Sequence, residues 1–516
     1  MANSTAAAAD PLPHHPNFHP SFSPPSSPSQ SSSSTPSSAA ELITVLNPAT
    51  ADPLATISAT PATTIAALVA HANEQFRQGA WARADASERF RVLARAGVLI
   101  RERMAELVDL EVKQTGRPVR EMTAQLGRVG EWFDYFASLA RTHQDDSTPF
   151  KGPVLNVLKC QPLGVCALIT PWNHPVLIAS KKLAAALAAG NVVILKPSEL
   201  APLSVLKLGE ILREAGLPDG TLSIVNGYGR ETGKFLCEAK GLAKIDLTGG
   251  LATYEAVAPT AARNLTGLTA ELGGKAPVCI FQSVGAEKGV RAALFASFIA
   301  AGQTCVTGSR LLVHERIYDE FKEVLVRRVA ALRVGHPRDE HTQVGALIND
   351  AAVQRCSSFI RKAEEEGDVI LCGGKPTSVD GRGYFFEPTV VETQRKSFLS
   401  CHEVFGPVIA LIRCKDEDDI VRTANDSAFA LGASVWTDDF AQAHRVADKI
   451  DAGVVWVNGH HLNDPSSPWG GWKESGMGKE NGVEAFESYT KVKSVVFNYG
   501  IEPSWFDEVG AGTRYG

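Results

Sequence analysis

Apolar residues recur at helical spacing over 62–78 and 86–115, where Phe90, Leu93, Ala96, Leu99, Ile100, Met104 and Leu107 mark the period. Further along, the pattern shortens. Apolar runs at 165–170, 192–196, 222–225 and 245–248 read as strands. Between them, 178–189, 204–215 and 228–239 read as helices, the first closed by Gly190. Strands alternating with helices predict an α/β protein with a doubly wound parallel sheet. A second alternating series runs from Val278 to about residue 456 and predicts a second α/β domain. Segments 151–162 and 486–498 are β-prone and stand outside both series. No repeat of solenoid period is present.

Residues 21–39 are almost entirely Ser and Pro. Such a stretch buries too little apolar surface to offset ordering entropy, so residues 1–40 read as a disordered tail. His14, His15 and His19 within it read as solvated imidazoles rather than metal ligands. The first basic residue is Arg77, unlike an Arg-rich transit peptide, and the chain ends Thr513-Arg514-Tyr515-Gly516, which is not a peroxisomal address. A cytoplasmic protein is expected.

The bulk numbers narrow the classes further. Among 516 residues, Lys plus Arg total 51 and Asp plus Glu 57, a net charge of −6. That balance leaves no footprint for nucleic acid or an anionic membrane. Hydrophobic content is 44%, ordinary for a soluble protein, and no run approaches the roughly 20 apolar residues of a membrane span. Nine scattered cysteines without a CxxC pair predict free thiols in a reducing compartment. Most of them read as small buried hydrophobes.

One cysteine stands apart by its context. Cys305 ends the run Gly302-Gln303-Thr304-Cys305, and Glu271 opens Glu271-Leu272-Gly273-Gly274-Lys275, 34 residues upstream. A thiolate can attack a carbonyl carbon, and a carboxylate can activate water to break the resulting thioester. The paired glycines suit a crowded backbone rather than a plain strand. Two glycine signals bear on phosphate binding. Gly227-Tyr228-Gly229-Arg230-Glu231-Thr232-Gly233 has one residue too many for a dinucleotide fingerprint. Thr248-Gly249-Gly250 sits between a strand and a predicted helix, where a pyrophosphate meets helix N–H groups.

Six segments resemble, in order and spacing, the signature motifs of the aldehyde dehydrogenase superfamily. They are Thr170-Pro171-Trp172-Asn173, Lys196-Pro197-Ser198-Glu199, the Glu271 and Cys305 runs, Glu403-Val404-Phe405-Gly406-Pro407, and 468–476. The resemblance covers about residues 45–500. It implies a cofactor domain (41–145 and 163–272), a catalytic domain (273–485), and oligomerisation strands (146–162 and 486–500) that make a homodimer or homotetramer.

The resemblance also assigns roles. Cys305 is the nucleophile, Asn173 an oxyanion donor with the Cys305 N–H, Glu271 the base, and Lys182 a lysine near the nicotinamide, sometimes cast as a proton relay. For the cofactor it implies Thr170, Trp172, Lys196, Ser198, Glu199, Gly229, Thr248, Gly249, Gly250, Leu272, Glu403 and Phe405. Lys196 and Glu199 hold the adenosine ribose, which favours NAD and leaves NADP possible. Glu403 holds the nicotinamide ribose and Phe405 packs on the ring. The chain departs from the family at Gly250, where Ser is usual, and at Tyr254, where Gly is common.

The substrate tunnel departs as well: His174, Lys181, His461 and Asn463 join Trp469 where aromatics are frequent. A polar aldehyde, with an acidic or hydroxyl group, is expected. His460 and His461 lack a carboxylate or Cys to complete a metal site. Two rivals remain at this stage: a coenzyme A-acylating semialdehyde dehydrogenase, against which Glu271 argues, and a non-catalytic oligomer of the same fold.

Overall fold

In the computed structural model, which describes residues 12–23 and 41–500, the short apolar runs assemble into two parallel sheets. The strands Val165–Ile169 and Val192–Lys196 are apolar almost throughout and buried on both faces, as parallel strands between helix layers must be. The first sheet has six strands, in the order Gly476–Met477, Gly267–Glu271, Lys244–Thr248, Val165–Ile169, Val192–Lys196, Leu222–Ile224. Only the Gly476–Met477 strand is antiparallel. Strand order reverses at Val165–Ile169, which places a crevice at the carboxyl ends of its neighbours.

The second sheet has seven strands, from Val369–Cys372 through Thr389–Glu392, Val408–Cys414, Arg310–His314, Pro277–Ile280 and Gly432–Trp436 to Val454–Val457. The pairs are parallel except the first. A third sheet stands outside both cores. There Thr490–Asn498 pairs antiparallel with Val154–Pro162 along its whole length, and Asp146–Thr148 adds a short strand. It leaves Leu155, Val492, Val496 and Phe497 exposed. No helix among the described residues is long and apolar enough to cross a membrane.

The structure departs from the sequence reading in several places. The helical pattern over 86–115 is two helices, Ala86–Glu102 and Met104–Thr115, broken at Arg103. Residues 228–239 form a π-helical turn, Gly229–Gly233, before the short helix Lys234–Glu238. The boundary at 485 does not hold. Gly476–Met477 pairs with the first sheet, and Ala485, Phe486 and Tyr489 are buried in that sheet's core. Phe486 lies in the helix Gly482–Glu487, so the third sheet begins only at Thr490.

The tail reading also fails over 12–23. His14–His15 pairs in parallel with Pro53–Ser58. Phe18 exchanges backbone hydrogen bonds with Ile224, the first sheet's edge strand, and packs into that sheet's core. His14 is not simply solvated: its ring nitrogens reach the Thr56 and Ser58 hydroxyls. His19 Nδ1 reaches the Phe22 carbonyl at 3.1 Å. Two phenylalanines anchor a segment whose overall composition reads as coil. The Ser/Pro stretch from residue 24 to 40, and residues 1–11, lie outside the described residues.

Burial of partly buried Phe18 is worth about 1–2 kcal/mol. Phe18→Ala is therefore expected to lower Tm measurably; an unchanged melting curve would mean that the segment adds nothing to the folded state.

Candidate active site

Cys305 follows a backbone held in an unusual conformation. Ala300, Ala301 and Gly302 all have positive φ (54°, 51° and 71°). The left-handed region costs a non-glycine residue of order 1 kcal/mol or more, so the surroundings must enforce it. Several bonds do. Gln303 Nε2 donates to the Ala300 and Ala346 carbonyls, and its Oε1 accepts from the Ile348 N–H. Thr307 Oγ1 donates to the Gly302 and Thr304 carbonyls. Ala300 N donates to Glu121 at 3.0 Å.

The glycines of both motifs serve close approach. A Cβ at Gly302 would strike the Gly406 carbonyl, at Gly274 the Cys305 carbonyl, and at Gly273 the Glu403 carboxylate. The strand Gly267–Glu271 therefore ends directly beside the turn that carries the thiol. Cys305 and Glu271 line one cavity of about 630 Å³. Cys305 remains partly exposed there.

The electrostatics are set by burial. Burial, then the Glu403 and Glu271 carboxylates, push the Cys305 thiol up to about 12. Both Glu271 oxygens are buried without a hydrogen-bond partner among the described residues. Burial, and next the Glu480 charge, hold the Glu271 carboxyl well above the usual carboxylate range. Glu480 goes the other way. Burial opposes its charge, but Lys181 and Lys182 hold its carboxyl down to about 2. Lys181 Nζ lies 2.7 Å from one Glu480 oxygen and Lys182 Nζ 2.6 Å from the other. Thr248 Oγ1 donates to Glu480 at 3.3 Å. Glu480 was not legible as a site residue, because it follows the last motif as one polar residue among several.

The other expected residues divide between the cavity and its surroundings. His174, Lys181, His461, Asn463 and Trp469 line the cavity, with Thr248 and Leu272. His174 is engaged by Arg117 at 2.7 Å and by Gln125 at 2.9 Å. Burial, then Arg117, hold its imidazole well below the usual range. Asn463 Oδ1 accepts from Asn481 at 2.8 Å. His461 Nε2 has no partner among the described residues. Its neighbour His460 is turned to the Val306 carbonyl at 2.8 Å.

Two expected catalytic residues lie outside the cavity lining. Asn173 is buried beside the turn that carries Cys305, with Nδ2 donating to the Gln303 carbonyl at 2.9 Å. One Nδ2 hydrogen remains for another acceptor. Lys182 is fully buried behind the wall, paired with Asp246 as well as Glu480. These partners raise its ammonium above the ordinary range against the pull of burial. Two ion pairs in a buried setting fit a fixed charge that positions Glu480, not a relay that sheds its proton.

Most of the remaining residues follow the carboxyl ends of the first sheet's strands, while Glu403 and Phe405 come just before the second sheet's strand Val408–Cys414. Lys196 is buried, its Nζ at 2.9 Å from the Pro197 carbonyl and 3.4 Å from Glu199. Ser198 Oγ accepts from Leu200 N. Trp172 meets Phe405 edge-on, with ring centroids 5.4 Å apart. Glu403 accepts from Gly274 N at 2.9 Å, and burial raises its carboxyl to about 7. Several features fit a dinucleotide. Thr170 Oγ1 is buried without a partner among the described residues. Nothing occupies the space a Cβ would fill at Gly229 or Gly250. Beyond Gly249 and Gly250, the helix Leu251–Asn264 begins without a side-chain cap, which leaves its first N–H groups for phosphate oxygens.

A partly exposed thiol and a buried, unpaired carboxyl thus share one cavity beside a crevice suited to a dinucleotide. Residues 35–495 match the sequence profile of the aldehyde dehydrogenase family. Betaine aldehyde dehydrogenase of Brucella anthropi is 37% identical over 461 residues, spanning 88% of this chain and 94% of its own. Among solved structures, PnpE in complex with nicotinamide adenine dinucleotide superposes with a TM-score of 0.88 at 36% identity, covering 90% of this chain and 96% of that one. Betaine aldehyde dehydrogenase of Staphylococcus aureus in complex with NAD+ gives 0.89 at 33% identity, covering 91% and 94%. The chain belongs to the aldehyde dehydrogenase family. It is an NAD(P)-dependent aldehyde dehydrogenase.

Proposed function

We propose that this enzyme oxidises its aldehyde to a free carboxylic acid, with Cys305 as nucleophile, Glu271 as base and NAD as cofactor. The observation that carries this reading is the pair of uncommitted Glu271 oxygens facing the cavity that holds Cys305. With its thiol pushed up to about 12, Cys305 is protonated at neutral pH. Attack therefore needs a proton acceptor, and Glu271 supplies it. As Sγ bonds to the carbonyl carbon, Asn173 Nδ2 and the Cys305 N–H donate to the oxyanion. Each such donor is typically worth about 2.7–4 kcal/mol of barrier.

Bound NAD supplies the hydride acceptor that turns the thiohemiacetal into a thioester. Lys196 and Glu199 would hold the adenosine ribose, the start of the helix Leu251–Asn264 the pyrophosphate, and Glu403 with Phe405 the nicotinamide end. The Glu199 carboxylate repels a 2′-phosphate, which favours NAD over NADP. Once deprotonated, Glu271 activates water against the thioester. A free carboxylate for this step separates the enzyme from one that passes its acyl group to coenzyme A.

Cys305→Ala is expected to abolish NADH formation. Glu271→Gln removes both the acceptor for the thiol proton and the activator of water, and is expected to slow the NADH burst and steady turnover by 100-fold or more, in line with general-base contributions of about 10²–10⁴. Full steady turnover in Glu271→Gln would remove the carboxylate from the mechanism. A base whose pKa is raised acts only once deprotonated, so activity must climb with pH. The rising limb of kcat is expected well above the ordinary carboxylate value of about 4.3. A pH profile already flat at pH 5 would contradict this.

We also propose that the exposed apolar face of the third sheet joins subunits into a homo-oligomer. Val492 and Val496 leave an unpartnered apolar pair on one face of a sheet with open edges, and Phe497 with its cross-strand partner Leu155 is exposed on the other. Light scattering is expected to show a dimer or tetramer that Val492→Glu with Val496→Glu dissociates; an unaltered mass would place the interface elsewhere.

A further inference from the structure

We infer that the substrate is an aldehyde bearing an anionic group, a carboxylate, at the end remote from its carbonyl, met by Arg120 and Arg291. The inference rests on the Cys305–Glu271 reading of the cavity.

Six cationic side chains line that cavity: Arg117, Arg120, Arg128, Arg291, Arg328 and Lys181. Only three acidic ones do, Glu121, Glu271 and Glu480. Most charges are already committed. Arg117 pairs with Glu121 at 3.2 Å, and Lys181 with Glu480 at 2.7 Å. Arg128 pairs with Glu131 at 2.8 Å, with Asp464 at 3.9 Å, and Arg328 with Glu287 at 3.7 Å. The Glu271 carboxyl is held toward its neutral form. Arg120 and Arg291 have no ion-pair or hydrogen-bond partner among the described residues, and both are exposed. Their exposure puts them at the mouth, and Cys305 is only partly exposed.

Their positions are not incidental to the nucleophile. Arg120 lies on the helix Val119–Leu126, whose Glu121 accepts from Ala300 N, five residues before Cys305. Arg291 lies on the helix Ala286–Phe298, which leads into the same turn, one helical turn from Phe295 on the cavity wall. Two uncommitted guanidiniums at the mouth of a half-enclosed cavity favour an anion by charge and by forked donor geometry.

The inner lining argues in the same direction. Aromatic faces recognise quaternary ammonium groups. Here the Trp469 ring has the Lys181 ammonium 4.9 Å from its centroid. A fixed cation on the aromatic face, with arginines at the entrance, disfavours a trimethylammonium aldehyde. Betaine aldehyde, named in the relatives, is thus a poor match for this lining.

The test compares kcat/KM of the full-length enzyme with NAD for four probes: 4-oxobutanoate, butanal, betaine aldehyde and glyceraldehyde 3-phosphate. The expected result is at least a tenfold preference for 4-oxobutanoate over butanal and over betaine aldehyde. Arg120→Gln and Arg291→Gln are expected to cut the ratio of 4-oxobutanoate to butanal tenfold, through KM. Raising salt from 0.05 to 0.5 M is expected to raise KM for 4-oxobutanoate more than for butanal, which needs no variant to fold. Preference for butanal or betaine aldehyde, or a ratio unmoved in both variants, overturns the inference while leaving aldehyde oxidation intact. Preference for glyceraldehyde 3-phosphate over 4-oxobutanoate overturns the assignment of a carboxylate. Failure of Cys305-dependent oxidation with every probe overturns the catalytic reading itself.

Discussion

The site depends on how closely three pieces of backbone can approach one another between the two sheets. Glycine makes this possible at Gly273, Gly274 and Gly302, where a single Cβ would collide with Glu403, Cys305 or Gly406. The same crowding forces Ala300 and Ala301 into left-handed backbone, and Gln303 and Thr307 tie the turn down. Packed interiors resist small displacements. The thiol is thus placed by main-chain contact rather than by a bond of its own side chain to the described residues.

Behind the thiol lies a compact charge system. Lys181 and Lys182 are adjacent on the helix Pro175–Ala188 and both reach Glu480, which lies just beyond the strand Gly476–Met477. Asp246, from the strand Lys244–Thr248, pairs with Lys182 and accepts from the Tyr489 hydroxyl. Breaking such a buried set by removing one member leaves an uncompensated charge, a loss of about 3–5 kcal/mol. The arrangement keeps Glu480 ionised, and that charge in turn helps to keep the proton on Glu271. Two carboxyl groups lining one cavity are thereby driven in opposite directions, Glu480 toward losing its proton and Glu271 toward keeping it.

Much of this was legible in the sequence, for local reasons. Val192–Lys196 is four apolar residues and a lysine, closed by Gly190-Asn191 before it and Pro197 after it, so its bounds could be read directly. The two key motifs were legible because glycine at fixed offsets has few uses other than close approach. What could not be read depends on contacts distant in sequence. Nothing near Glu480 says that two lysines about 300 residues earlier will hold it. Lys182 looks like any cation near a cofactor until its burial and its two partners are seen. Residues 476–489 follow the second domain in sequence but pack with the first, because one antiparallel strand closes against Glu271. Composition also averaged Phe18 and Phe22 into a Ser/Pro-rich stretch and concealed their anchoring role.

The bond between Phe18 and Ile224 has a consequence for solution behaviour. Leu222–Ile224 is the outermost strand of the first sheet, and an outermost strand offers bare N–H and C=O groups to any passing β-segment. Phe18 occupies part of that rim with both of its backbone groups and shields the apolar side behind it. Shortening the chain past this point would open a templating surface on a large and otherwise well-sealed sheet. Precipitation during refolding, rather than a slower catalytic cycle, is where such a shortened chain would first differ.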